Sequence, residues 1–217
     1  MKLRAGLFVA AILCAPLLAQ PDLQGVYQAI PSSARLPGGL KNAGSPDAIQ
    51  LAPAAALESS AKGSPSKDPW KMCQPVGPFR MMAVDGVKIE LAPAGSRIVM
   101  LFEDLSHGMM RTIYMQRGHP EKLEPTWLGD SVGRWDGGVL VIDTSGFNGE
   151  TWLNGRGAQH SGALHLVERI RPVLGGRYLE YKMTAEDPQA LAKPYTYTRY
   201  FQKLDTEIMD DVCRDQE

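Results

Sequence analysis

The chain has 217 residues, 44% of them hydrophobic, with 23 lysines and arginines against 24 acidic residues. That is enough apolar material for one sizeable core. A net charge of −1 argues against nucleic acid or an anionic membrane as the main partner, because either needs a basic face.

Met1–Arg4 supplies a short basic start, Gly6–Leu18 an uncharged apolar run of 13 residues, and Ala19 a small residue ahead of the polar Gln20–Asp22. This is the order of a secretory signal peptide, here residues 1–19. The apolar run is shorter than the roughly 20 residues that span a bilayer as a helix, and no later stretch is long and apolar enough to do so. The expectation is therefore an exported protein, periplasmic or extracellular, with no membrane span. Removing the signal leaves 21 basic and 24 acidic residues, a net charge near −3. Two cysteines remain, Cys73 and Cys213. In an oxidising compartment such a pair is expected to form a disulfide, contributing about 5 kcal/mol for a loop of that length.

The remainder, residues 20–217, reads as one β domain in three stretches: a wrap of loop and helix over 20–85, a β meander over 86–203 and a tail over 204–217. Leu23–Tyr27 is a candidate opening strand. From Pro31 to about Lys67 the composition turns to Ala, Ser, Pro and Gly, and within it Ala52–Lys62 has helix formers behind a proline. After that the period becomes two. Val87, Ile89 and Leu91 share a face; Ser96–Glu103 is apolar on both faces; Arg111–Met115 follows. Val132–Trp135 and Val139–Thr144 flank Asp136–Gly137–Gly138, a hairpin signal. Leu164–Ile170, Tyr178–Thr184 and Tyr195–Phe201 complete the series. Roughly eight strands with no crossover helix between them predict an all-β, mostly antiparallel, up-and-down meander closed into a barrel, with a sandwich as the alternative.

The stretch from Pro125 to Arg171 resembles a family of exported bacterial proteins that has no established activity. The likeness rests on Gly129–Gly137 (GDSVGRWDG), Leu140–Phe147 (LVIDTSGF), His160–Arg169 (HSGALHLVER) and Glu186–Thr196, and extends back through Asp68–Pro75. Position 130 is Asp where relatives often carry His, so the resemblance does not carry a role as metal ligand or proton donor over to this position.

Candidate chemistry centres on Glu168. On an extended Leu164–Ile170 it shares a face with Leu164, Leu166 and Ile170. A carboxylate on an apolar face needs a cation or a proton, and Arg134 is the candidate partner. The pair is either the polar anchor of a ligand pocket or a structural ion pair. His160, in a loop after Gly155 and Gly157, is a candidate acid/base group beside Glu168. Asp143, at the end of an apolar strand, is placed to orient a histidine or arginine. His119, His165, His160 and Glu168 superficially suggest a metal, but His165 and Glu168 point to opposite faces of a strand, so no metal and no cofactor is expected. Ser131 lies in a GDSVG segment that lacks the strand–turn–helix context of a nucleophile elbow, so a Ser131, His160, Asp143 triad is a weaker reading than turn hydrogen bonding. Trp135 and Trp152, with Arg134, Ser131 and His119, are candidate ligand contacts at a barrel mouth.

Two classes of function follow. One is a barrel holding a small, partly apolar ligand in its interior. The other is a hydrolase- or lyase-type enzyme using His160 and Glu168 for proton transfer. A structural, envelope-associated domain is a third reading. A small-molecule ligand or substrate is the expected partner.

Overall fold

A computed structural model describes residues 20–62, 67–103 and 109–209. The expected signal peptide and Cys213 lie outside them. Nine strands follow in chain order: β1 (Gly25–Ala29), β2 (Lys88–Ala94), β3 (Arg97–Glu103), β4 (Met110–Tyr114), β5 (Asp130–Asp136), β6 (Val139–Ser145), β7 (His165–Val173), β8 (Tyr178–Glu186) and β9 (Tyr195–Leu204). Each pairs with the next and β9 returns to β1, so the sheet is a closed barrel. The opening strand makes the count nine rather than eight, and it is the one that removes the free edges.

Side chains alternate across the barrel wall. Ile98, Met100 and Phe102 of β3, Leu140 and Ile142 of β6, Leu166 and Ile170 of β7, and Leu179, Tyr181 and Met183 of β8 are all buried. The β5–β6 turn carries Gly137 at φ 54° and Gly138 at φ 81°, the left-handed pair that matches the twist of a two-residue hairpin. Gly133 is required for a different reason. A Cβ there would lie 2.5 Å from Met115 Sδ and 2.8 Å from Ile113 Cγ2, so its absence lets β4 and β5 approach.

One pairing departs from the expected antiparallel meander. β4 and β5 run parallel, and only Ile113↔Ser131 and Tyr114↔Val132 are in register. No helix makes this crossover. The loop from Met115 to Gly129 is long enough to return the chain to the same end of the barrel, which a parallel pair requires.

The N-terminal wrap contains α1 (Pro53–Lys62) and α2 (Pro78–Met81). Single bridges, Ala43↔Thr198 and Leu51↔Leu191, tie it to the β9 side. α2 stoppers the end of the barrel where β2 begins. Phe79, Met81 and Met82 are buried, Tyr197 Oη donates to the Phe79 carbonyl at 2.7 Å, and the Phe79 and Tyr197 rings meet edge to face at 5.3 Å. Below this stopper the interior is filled by large side chains, Tyr27, Met100, Ile113 and Tyr181 among them. The other end, at the β2–β3 and β5–β6 turns, is where space remains.

Candidate functional site

The residue on which the sequence reading rested faces inward: Glu168 is 0% exposed. Its partner is Arg111, not Arg134. Arg111 Nη1 donates to Glu168 Oε1 at 2.9 Å, and Nη2 donates to Oε2, closing a bidentate pair. Arg111 Nε donates to Ser131 Oγ at 2.9 Å and Nη2 to Thr144 Oγ1 at 2.6 Å, while Tyr181 Oη donates to Glu168 Oε1 at 2.7 Å. Thr144 in turn donates to Ser131 at 3.2 Å. Every member sits on an inward position of its strand, so period-two alternation assembles the cluster from β4, β5, β6, β7 and β8. Burial works against the charge on Arg111, but the charge and hydrogen bonds of Glu168 outweigh it and raise its pKa. Burial, and then the Glu168 charge, push the Tyr181 phenol well above its ordinary value, so it stays a donor.

Arg134 has the other parity. Between inward Gly133 and Trp135 it turns outward, with a side chain 67% exposed and 3.9 Å from Asp136. The signal for the true partner was present: in Arg111–Met115, Arg111 alternates with Ile113 and Met115 on one face.

The other candidates are not brought to Glu168. His160 is buried in the loop between β6 and β7. Its Nδ1 meets the Ser161 carbonyl at 2.8 Å, which requires a proton on Nδ1, so Thr151 donates to Nε2 at 2.6 Å. The His160–Glu168 acid/base pair is therefore not assembled. Burial lowers the His160 pKa, against smaller opposing effects of the Ser161 carbonyl, Asp187 and Glu150. A histidine kept neutral in the fold but free to charge when unfolded contributes stability above the unfolded pKa of about 6.5. That contribution is lost as pH falls from there through the folded value. Chemical denaturation between pH 8 and pH 5 is expected to show this decline in the wild type. His160→Gln is expected to flatten it, at a baseline cost of about 1–3 kcal/mol for disturbing two buried hydrogen bonds.

Asp143 faces outward, 46% exposed on its side chain, outside the lining of the mouth cavity, and has two histidines against it. His165 Nε2 lies 3.0 Å from each of its oxygens, and His119 Nε2 lies 3.0 Å from Oδ1. His119 Nδ1 meets Asp130 Oδ1 at 2.7 Å, and Arg117 forms an ion pair with the same Asp130 carboxylate. Burial opposes the Asp130 charge, but hydrogen bonds from Arg117 and His119 hold its pKa below the usual range. This network clips the β4–β5 loop to the outside of the barrel, on the opposite side of the wall from Ser131. The Ser131, His160, Asp143 triad therefore does not form. Among the described residues no group of three or more His, Cys, Asp or Glu is arranged to hold a metal ion. Trp152 is buried, and its backbone bridges to Gln159 within the β6–β7 loop.

Trp135 is different. It sits at the unstoppered end, on the wall of a cavity of about 600 Å³, within the size range of small-molecule sites. Leu23, Leu91, Ile98 and Met115 supply its apolar surface, and Arg97, Arg134 and Asp22 stand at its rim. Asp136, beside it, is shared by Arg134 at 3.9 Å and Arg169 at 3.2 Å. In the lining of the cavity two guanidiniums, Arg97 and Arg134, stand against one carboxylate, Asp22.

No protein-family model matches the chain, and no curated protein matches it. Among solved structures it is similar to a REP1-NXSQ fatty acid transporter, at 9% identity and a TM-score of 0.43 over 85% of this chain and 98% of that one. It is also similar to a zebrafish ileal bile acid-binding protein complexed with cholic acid (11%, 0.34, 56% and 76%). A third likeness is to a secretory abundant heat soluble protein from Ramazzottius varieornatus (11%, 0.39, 84% and 95%). Likenesses this distant assign no ligand. Among the described residues no helix is long and apolar enough to cross a membrane.

Proposed function

We propose that this barrel binds a small anionic amphiphile in its open mouth, as an exported protein without residues 1–19 and with Cys73 joined to Cys213. The observation that carries the reading is the mouth cavity: about 600 Å³, an apolar floor with Trp135 on one wall, and a rim richer in guanidinium than carboxylate. An apolar tail loses water against Leu23, Ile98 and Met115 at about 25 cal/mol per Å², and a carboxylate or sulfonate head stays at the rim near Arg97 and Arg134. The proton-transfer reading has less support, because His160 and Glu168 each have separate partners.

Octanoate is a suitable probe, titrated calorimetrically against the mature protein. In the upper part of the usual range of about 0.2–1 kcal/mol, each exposed rim charge pair contributes about 0.5–1 kcal/mol. The double variant Arg97→Ala, Arg134→Ala is therefore expected to bind octanoate about fivefold to thirtyfold more weakly, and the wild-type affinity should fall with added salt. Wild type and double variant binding octanoate equally would contradict the anionic assignment. Under non-reducing conditions the mature protein should contain no free thiol by thiol labelling.

A further inference from the structure

The barrel wall has one place where the strands part. Every other neighbouring pair shares at least four residues in register, whereas β4 and β5 share two. The first half of β4, Met110–Thr112, has no β5 residue in register. A cavity of about 410 Å³ opens there, lined by Met110, Tyr114, Leu123 and Leu128 and reaching Arg111 and Ser131. Met110 is 59% exposed, a large apolar side chain left in water at the edge of the gap.

The charges around this gap cancel in pairs. Arg111 is held by Glu168, Lys122 by Glu124 at 3.2 Å, and Asp130 by Arg117. Among the described residues lining the gap, no charge is left over to compensate an added ion. Ser131 is the hydroxyl that reaches the cavity. Ser131 and Thr144 each accept from Arg111 and share one hydrogen bond between them, so two hydroxyl hydrogens serve one contact. With Thr144 as the donor of that contact, the Ser131 O–H is free to donate to a molecule in the cavity that Ser131 lines.

We propose that the β4–β5 gap is a second binding site, for a small neutral amphiphile with an apolar body and an uncharged oxygen, such as a hydroxyl, at its head. The body lies against Met110, Leu123 and Leu128, and the head oxygen accepts from Ser131. This site does not depend on the mouth. The two differ in charge, surplus cation in one and paired ions in the other, and so differ in the ligand each takes.

The test is a pair of methyl NMR titrations of the mature protein, with 1-octanol as the neutral probe and octanoate as the anionic one. 1-Octanol is expected to shift the Met110, Leu123 and Leu128 methyl signals saturably, and octanoate is expected to leave them in place. Met110→Asp places a charge in an already exposed position, so folding should be preserved. It is expected to weaken 1-octanol binding at least tenfold and to leave octanoate binding at the mouth unchanged. Leu123→Asp provides a second charge at the same gap, with the same expected loss. The proposal is overturned if 1-octanol does not move these methyls, if octanoate moves them as tightly, or if both variants bind 1-octanol like wild type. None of these results bears on octanoate at Met115 in the mouth.

Discussion

Glu168→Gln is expected to lower the unfolding free energy by about 3–5 kcal/mol, because it leaves the Arg111 guanidinium buried without its counter-charge. Arg111 is 3% exposed and is held in place by Ser131 and Thr144 as well as by Glu168. Removing both charges should be far milder. Arg111→Met with Glu168→Leu fills similar volume with apolar groups, and such replacements of buried ion pairs are often neutral or stabilising. Urea denaturation of the two single variants and the double variant measures the coupling directly. Single variants as stable as wild type would mean that water or a rearranged side chain already satisfies the pair. The distinction matters for function: a Glu168–Arg111 ion pair that behaves as a structural pin in this cycle is not itself the anchor of a ligand.

Trp135→Ala is expected to weaken octanoate binding about thirtyfold, near 2 kcal/mol, because a tryptophan lining an apolar pocket is among the side chains whose truncation costs binding most. The fold should tolerate the change better than it tolerates Glu168→Gln, since Trp135 is only half-buried at the barrel rim. Matched fluorescence and calorimetric titrations, with the melting temperature as control, separate lost affinity from lost structure. Trp152→Phe should leave octanoate affinity unchanged, as Trp152 is enclosed in the β6–β7 loop.

Much of the fold was readable because period two is a local signal. The alternation in Leu179, Tyr181 and Met183, or in Leu166, Glu168 and Ile170, directly states which face is inward. The Asp136–Gly138 turn announced its hairpin through glycine chemistry alone. The parallel β4–β5 pairing was not readable, because Met115–Gly129 has neither period nor helix to mark a crossover, and two register pairs leave no pattern in the sequence.

The candidate site was legible in parity but not in partnership. Alternation puts Glu168 on the inner face but puts Arg134, the candidate cation, on the outer one. Gly133 and Trp135 on either side already assign Arg134 to the opposite face. Arg111, 57 residues before Glu168, is joined to it only by barrel closure, which brings together strands far apart in the chain. His160 was reachable only through the loop that holds it. Its Thr151 partner lies nine residues away with no periodic relation to it.

The chain has four tryptophans, Trp70, Trp127, Trp135 and Trp152, and hence four indole N–H signals, so one experiment addresses the mouth most directly. In a two-dimensional nitrogen–proton spectrum of the mature protein titrated with octanoate, the Trp135 indole should shift progressively to saturation. The Trp152 signal should stay where it is. A Trp135 signal that remains fixed while octanoate binds, or that responds no more than Trp152, would contradict a ligand site in the open end of the barrel.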